Sequence, residues 1–497
     1  MTDRILTWMD LGTWDDMHTV RTVIDEETDP NTIDPRPILA EIVEIDARVS
    51  ELEAELASLR VRRKKILASH ALIDRIPAEI LSRVFELGVH DHMHLVHMIS
   101  LVSRQWRELA LQTPSLWSYI KLDYHWGYSR STQFQQKMQL YLERSQATKL
   151  LVDLDCRYLD LSQELRAIME DLAPHLGRCF SFRVSVPDWE WMGIVRENCT
   201  NLGPSLEDLY LRIDPSDAED QTPCTLLSHP CPRLTSIVLE HTPLTCIRTS
   251  LPALRKLSLI RDQRYVSSTS PSRIGISFNE LLPLLDTTPT LQSLVIQSAT
   301  FFLTGTEPIF AAHPVLTSIP QLTHLAFHYL DSPTLSLFLS STSLPALHSL
   351  QVQMDSSADE TTAWLSLLPM TSLPALRLLD VRACTLDGAS LPPFIRALHA
   401  LPQITALGLS SPPSGMLGNK LFDLLAAGPP WLLPNLEALC LQSCRDLSGH
   451  EVLRVANARL GERGVSPLKY LKFSQCYALD PEVMDQVKRI VPTVYLV

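Results

Sequence analysis

The chain has 497 residues but only 16 glycines, about 3%, where roughly 7% is usual. That shortage, beside 35 prolines, excludes a flexible low-complexity chain. Instead it suggests many short elements, each punctuated in the same way. The ten cysteines run from Cys156 to Cys476 without a CxxC pair, which excludes a disulfide scaffold and favours reduced, intracellular thiols. Basic excess is missing too: the net charge of −13 argues against nucleic acid as the main ligand. The start, MTDRILTWMD, lacks the basic region and apolar core of a secretory signal. No apolar run reaches about 18 residues, so no membrane span is expected. The chain contains no G-x-S-x-G, P-loop, G-x-G-x-x-G or H-E-x-x-H, so neither an enzyme nor a cofactor is expected.

What is present falls into stretches of different character. Residues 1–37 carry nine acidic and three basic side chains and end in DPNTIDPRP, which reads as a disordered acidic tail. Trp8 and Trp14 within it read as stray hydrophobes rather than as a partner-binding segment. Over residues 38–70 the apolar spacing changes to 4-3-4-3, through Ile38, Ile42, Ile45, Val49, Leu52, Leu56, Leu59 and Ile66, with Arg63 the one break. This predicts a coiled-coil helix, either folded back on its own chain or paired in a homodimer through residues 38–66. The basic run Arg60 to Lys65 reads as a solvated helix face, with a nuclear import signal as the other reading.

From residue 145 to 497 the sequence repeats. LEDLYL (from Leu206), LTSIVL, LRKLSL, LQSLVI, LTHLAF, LHSLQV, LRLLDV, ITALGL, LEALCL and LKYLKF all have the form Φ-x-x-Φ-x-Φ. They start 20 to 37 residues apart, with a mean near 29, and most follow a proline. That period marks a solenoid, and the segment resembles the strand of a leucine-rich repeat. Between the strands, Ser448 with Glu451 reads as a capping box, and Asp480-Pro481 as an N-cap followed by proline at the first helical position. Strand plus helix in each repeat predicts an irregular α/β horseshoe, with two weaker strand-like runs, LLVDLDC and CFSFRVSV, as capping units. Cys384, Cys444 and Cys476 each sit three residues past a strand, where they are expected to turn inward at the bend. Cys440 lies between two core leucines and so faces the other way, which argues against a metal site with Cys444. The outward positions, among them Tyr210, Arg212, His324, Asp380 and Lys472, are chemically mixed and imply no ligand class beyond a protein surface.

Residues 72–122 differ again. They predict three short helices, too few to bury all their apolar side chains on one another. Ile76-Pro77-Ala78-Glu79-Ile80-Leu81, Val84-Phe85 and Val102-Ser103-Arg104-Gln105-Trp106-Arg107, with the tail TPSLWSYI, resemble an F-box in the form common among fungal members. Ser103 stands where the family usually has Cys, and Ile76 where it has Leu. The resemblance implies docking on the Skp adaptor of SCF-type cullin–RING ubiquitin ligases through Pro77, Ile80, Leu81, Phe85, Leu95, Val102 and Trp106. Trp106 would belong to that contact, while Trp117 would be core with Leu116 and Ile120. The loop HDHMHLVH holds His90, His92, His94 and His97, but no single conformation gathers all four, so a solvated loop is expected rather than a metal site.

The fold class expected is therefore α/β: an N-terminal coiled-coil helix, a small three-helix F-box and a leucine-rich-repeat solenoid. The expected function is recruitment of a protein substrate to a ubiquitin ligase, in the cytoplasm, the nucleus or both. The alternative is a non-catalytic binding scaffold acting outside ubiquitin transfer.

Overall fold

The computed structural model describes residues 35–69, 73, 76–92, 95–126, 130–214, 225–227, 229–261, 275–302, 316–354, 363–369, 371–384, 386, 390–410 and 419–497. Trp8, Trp14 and the acidic tail up to position 34 lie outside these residues. The chain divides into two units, Met1–Leu81 and Ser82–Val497.

The first unit contains helix α1, Pro35–Ser69. It begins three residues before the expected boundary, since its first turn takes up Pro35, whose fixed φ suits a helix start. Its 35 residues make a rod of about 52 Å. The seam residues Ile42, Ile45, Val49, Leu52, Leu56, Leu59 and Ile66 are each 46–54% exposed, so among the described residues nothing covers them. Arg48 and Glu51 pair along its surface. Helix α2, Ala78–Asp91, begins in the same unit. The carbonyl of Pro77 accepts from the N–H groups of Ile80 and Leu81, at 3.1 and 3.0 Å.

In the second unit a 14-stranded parallel sheet takes its strands in chain order. Strands β1 (Tyr119–Leu122), β2 (Leu150–Asp155) and β3 (Cys179–Val186) come first. Next are β4 (Asp208–Ile213), β5 (Ser236–Glu240), β6 (Lys256–Ile260), β7 (Ser293–Gln297) and β8 (His324–Leu330). The last are β9 (Ser349–Met354), β10 (Leu378–Arg382), β11 (Ala406–Ser410), β12 (Ala438–Gln442), β13 (Tyr470–Ser474) and β14 (Thr493–Leu496). Two short two-stranded parallel pairs lie outside this sheet. All ten Φ-x-x-Φ-x-Φ segments supply strands, β4 to β13. LLVDLDC and CFSFRVSV supply β2 and β3, which are full members of the ladder rather than caps. Strand β1 lies inside the segment expected to be purely helical and already pairs with β2.

The sheet has one buried face because two positions of each strand are apolar. In register, one core row runs Ile120, Val152, Phe182, Leu209, Ile237, Leu257 and onward to Leu439, Leu471 and Val494. The prolines have a definite place. Before β5 to β12 a turn closes from the residue three places ahead of the first Φ onto Φ itself, as in Leu251-Pro252-Ala253-Leu254 and Leu433-Pro434-Asn435-Leu436. Its N–H···O distances lie between 3.1 and 3.4 Å. Proline occupies the second turn position, where φ near −65° is already set and no N–H is needed. Leaving the strand, the chain turns through a left-handed residue that is not glycine: His241, Ser298, Ala383, Ser443 and Gln475 all have φ of 52–55°. Four of these donate their N–H to a carbonyl near the end of the neighbouring strand, for example Ser443 to Ser474 at 2.8 Å. That ladder bond offsets the left-handed cost, which explains how so many bends manage with so little glycine.

The cysteines behave accordingly. Cys384 and Cys444 directly follow such left-handed residues and are buried. The Cys444 thiol donates to the Gln442 carbonyl at 3.4 Å and the Cys476 thiol to the Ser474 carbonyl at 3.5 Å. Cys476 is only half-buried, and Cys440 lies half-buried on the opposite face from Leu439 and Leu441.

Helices connect most of the strands: α5 (Ser131–Arg144), α6 (Ser162–Leu172) and α7 (Trp189–Asn198) in the first part. Further on come α8 (Phe278–Asp286), α9 (Ser332–Ser341), α10 (Leu391–Ala400), α11 (Asn419–Ala426), α12 (His450–Arg459) and α13 (Pro481–Ile490). Asp480 caps α13, accepting from the Glu482 N–H at 2.9 Å. The capping box at α12 is displaced by one residue. Gly449, at φ 96°, is the N-cap, and Glu451 reaches back to the Gly449 N–H at 3.2 Å and to Ser448 at 3.0 Å. No described helix is long and apolar enough to cross a membrane.

Lys137 of α5 lies over the rings of Trp126 and Tyr141, at 4.4 and 5.2 Å, and finds no hydrogen-bond partner among the described residues. Burial pushes its ammonium down to about 8, partly opposed by Asp123. In the unfolded chain a lysine titrates near about 10.4. Between those values the unfolded state holds more protons, so this group's contribution to stability rises with pH from about 8 upward. Lys137→Met is expected to raise the unfolding midpoint at pH 7 and to flatten that rise. Denaturant titrations at pH 7 and pH 10 would show it, and an unchanged pH profile would refute it.

Candidate functional site

Three helices precede the sheet: α2, then α3 (Leu95–Val102) and α4 (Arg104–Gln112), followed by a single 3-10 turn, Pro114–Trp117. Their local causes are readable. Ser103, at the position where a Cys is usual in the resembled motif, is the N-cap of α4, its hydroxyl accepting from the Trp106 N–H at 3.1 Å. Gly88 lets α2 and α3 approach closely: a Cβ there would meet Leu95 Cδ2 at 2.4 Å. Thr113 folds its hydroxyl onto the Leu109 carbonyl at 2.7 Å and ends α4. Glu86 of α2 accepts from the Ser115 hydroxyl at 2.5 Å and binds Arg83 at 2.9 Å.

Trp117 anchors the end of the helical segment. It is 1% exposed, and its indole N–H donates to the Ala110 carbonyl at 2.8 Å. Its ring stands edge-on to Tyr141 of α5 at 5.2 Å, with the Arg144 guanidinium 4.3 Å over it. Leu116 and Ile120 are buried beside it in sequence, so this tryptophan is core, as expected. Trp117→Phe keeps the ring and loses the hydrogen bond. It is expected to destabilise by about 1–2 kcal/mol, while Trp117→Ala costs about 3–5 kcal/mol. Equilibrium unfolding of both variants would check this, and equal losses would refute it, since a retained aromatic ring would then contribute nothing.

The expected docking residues divide by burial. Pro77, Ile80 and Val102 are exposed, Leu95 and Trp106 half-buried, and Leu81 and Phe85 buried. Phe85 packs against Trp106, with ring centroids 4.8 Å apart at 57°. Leu81 and Phe85 are therefore covered side chains, and Leu95 is spent on the Gly88 contact. The outward stripe of α2 is carried instead by Ile80, Val84 and Leu87, at i, i+4 and i+7. On α3, Met98 (62%), Leu101 (79%) and Val102 stand exposed, while Val96 and Ile99 are buried. Val84, Leu87, Met98 and Leu101 are not among the docking residues expected from sequence, although Val84, Leu87 and Met98 belong to the apolar faces too large for the segment to bury on itself. Only packing tells which side of so apolar a helix is covered. Uncovered apolar residues on two successive helices are what a protein partner, rather than water, would cover.

The side chains of His90 and His94 lie outside the description and His92 is exposed. His97 Nε2 lies 3.3 Å from the Tyr141 hydroxyl and edge-on to Trp117. Among the described residues no group of three or more potential ligands could hold a metal ion.

A second surface is the unburied face of the sheet. Over β2 to β5 it carries an ion-pair chain. Arg157 binds Asp155 at 2.7 Å, Arg212 bridges Asp214 and Glu240 at 3.0 Å each, and the Tyr210 hydroxyl donates to Glu240 at 2.6 Å. At β10, Arg382 grips Asp380, whose carboxylate occupies the space a side chain at Gly408 would need. In register between these charged stretches, Val238, Ser258, Val295 and Ala326 leave the central row without charge.

No curated protein matches the chain. Residues 73–123, the segment that runs from the start of this helical unit to just past β1, match the model of one family: this part of the chain is F-box-like.

Proposed function

We propose that the chain is a non-catalytic substrate-recruiting subunit of an SCF-type ubiquitin ligase. The single observation that carries the reading is the uncovered apolar residues of α2 and α3 within the F-box-like segment. There a Skp-type adaptor would dock, and through it the cullin. The residues assigned to that contact are Pro77, Ile80, Val84, Leu87, Met98, Leu101 and Val102, with Trp106 at its edge. We read the 14-stranded ladder as an irregular leucine-rich-repeat solenoid, because its strands follow one another in chain order with turns that repeat residue by residue. Its unburied face would hold a protein target near the ubiquitin-loading enzyme, raising effective concentration rather than performing chemistry. The cytoplasm and the nucleus are the compartments this role implies.

Calorimetric titration of the full chain with a purified Skp adaptor tests the proposal. Saturable binding at micromolar concentration or below is expected. No heat and no co-migration on gel filtration would overturn it, leaving a binding scaffold outside ubiquitin transfer.

A further inference from the structure

Two features of α1 are not taken up by the described residues of its own unit. The first is the half-exposed seam from Ile42 to Ile66, about 36 Å of helix. The second is a separation of charge along the same helix. Residues 40–55 hold six carboxylates against Arg48 alone, and residues 56–66 hold five cations and no carboxylate.

We propose that α1 pairs in antiparallel orientation with α1 of a second copy of this chain. A narrow stripe at 4-3-4-3 spacing fits a helix with the same spacing better than it fits a sheet or a broad helix face. A second copy supplies that spacing, and it also supplies both signs of charge.

The flanking pairs do not by themselves set the orientation. In a parallel pair Arg48 meets Glu53 and Glu55 meets Arg60, while Glu41 faces Asp46. In an antiparallel pair with Ile45 opposite Leu56, Glu41 meets Arg62 and Arg48 meets Glu55, while Asp46 faces Glu53. Each arrangement has two attractive kinds of contact and one repulsive. Arg63, the one polar seam position, decides. Parallel pairing sets it against its own copy and lays the whole basic run Arg60–Lys65 on itself. Antiparallel pairing in the Ile45–Leu56 register removes that self-contact, setting Arg63 opposite Ile38 and bringing Arg60 and Arg62 to Glu41 of the other copy. The two rods then continue into residues 73–123 from opposite ends of the pair.

The test uses the full chain without any adaptor, so its outcome is independent of the docking proposal. Sedimentation velocity at micromolar concentration is expected to show a dimer, and a monomer there overturns the inference. Orientation is read by oxidative cross-linking of Ile45→Cys and Leu56→Cys, one carrying a size tag, against the unaltered chain as background. A disulfide formed only when the two variants are mixed is the expected result. Ile45→Cys joining to itself would mean a parallel pair and overturn it. A dimer that cross-links in neither way would overturn the Ile45–Leu56 register. Both positions are exposed, so folding of the variants is not at risk.

Discussion

Arg459→Ala is expected to cost about 4 kcal/mol of stability, although Arg459 lies on a connecting helix far in sequence from the F-box-like segment. The side chain is fully buried in α12, and its hydrogen bonds run to backbone carbonyls. Its guanidinium donates to the carbonyls of Leu425, Leu433, Leu436 and Leu432 at 3.3, 3.1, 3.5 and 2.6 Å, and its charge stands 5.9 Å from the Trp431 ring. Burial lowers its pKa to about 10, so it stays protonated at neutral pH. Removing it leaves buried carbonyls without a donor and opens a cavity, and the two losses add. Arg459→Lys separates charge from geometry, because one ammonium cannot serve carbonyls approached from several directions. It is expected to lose most of the same stability. Denaturant unfolding followed by circular dichroism decides the matter, and a loss below about 1 kcal/mol in Arg459→Ala would refute the account.

Met98→Asp/Leu101→Asp is expected to weaken adaptor binding at least about 100-fold, or about 3 kcal/mol, while moving stability by less than about 0.5 kcal/mol. Both side chains are mostly exposed, so the folded chain loses little packing. A docked partner, in contrast, would have to bury two carboxylates without counterions. Phe85→Ala is the comparison. It removes the buried ring against Trp106 and is expected to reduce stability and binding together. Binding unchanged in the double aspartate variant would mean that the adaptor uses another face.

How much of this was legible beforehand depended on the kind of residue. The ten Φ-x-x-Φ-x-Φ segments all became strands, because their alternation already states which side is buried. Strand β1 was missed: Tyr119–Leu122 is four residues long, too short to show a period, and pairs only because β2 lies alongside. The capping box at Ser448 was one residue off because Gly449 can take a positive φ that moves the cap forward.

In the F-box-like segment the motif residues were visible but their sides were not. Leu81 and Phe85 looked the same in sequence as Ile80 and Val84, and a helix with apolar residues all round has no face until something packs on it. By itself, the sequence determined the strand positions, the proline turns, the helical segment and the separated charges of α1, since each follows from local spacing and backbone chemistry. Tertiary structure alone decided that Gly88 admits Leu95, that Arg459 serves four backbone carbonyls and that Met98 and Leu101 stand uncovered. Those outcomes depend on which surfaces meet, and partners tens of residues apart set that through packing rather than through any local rule.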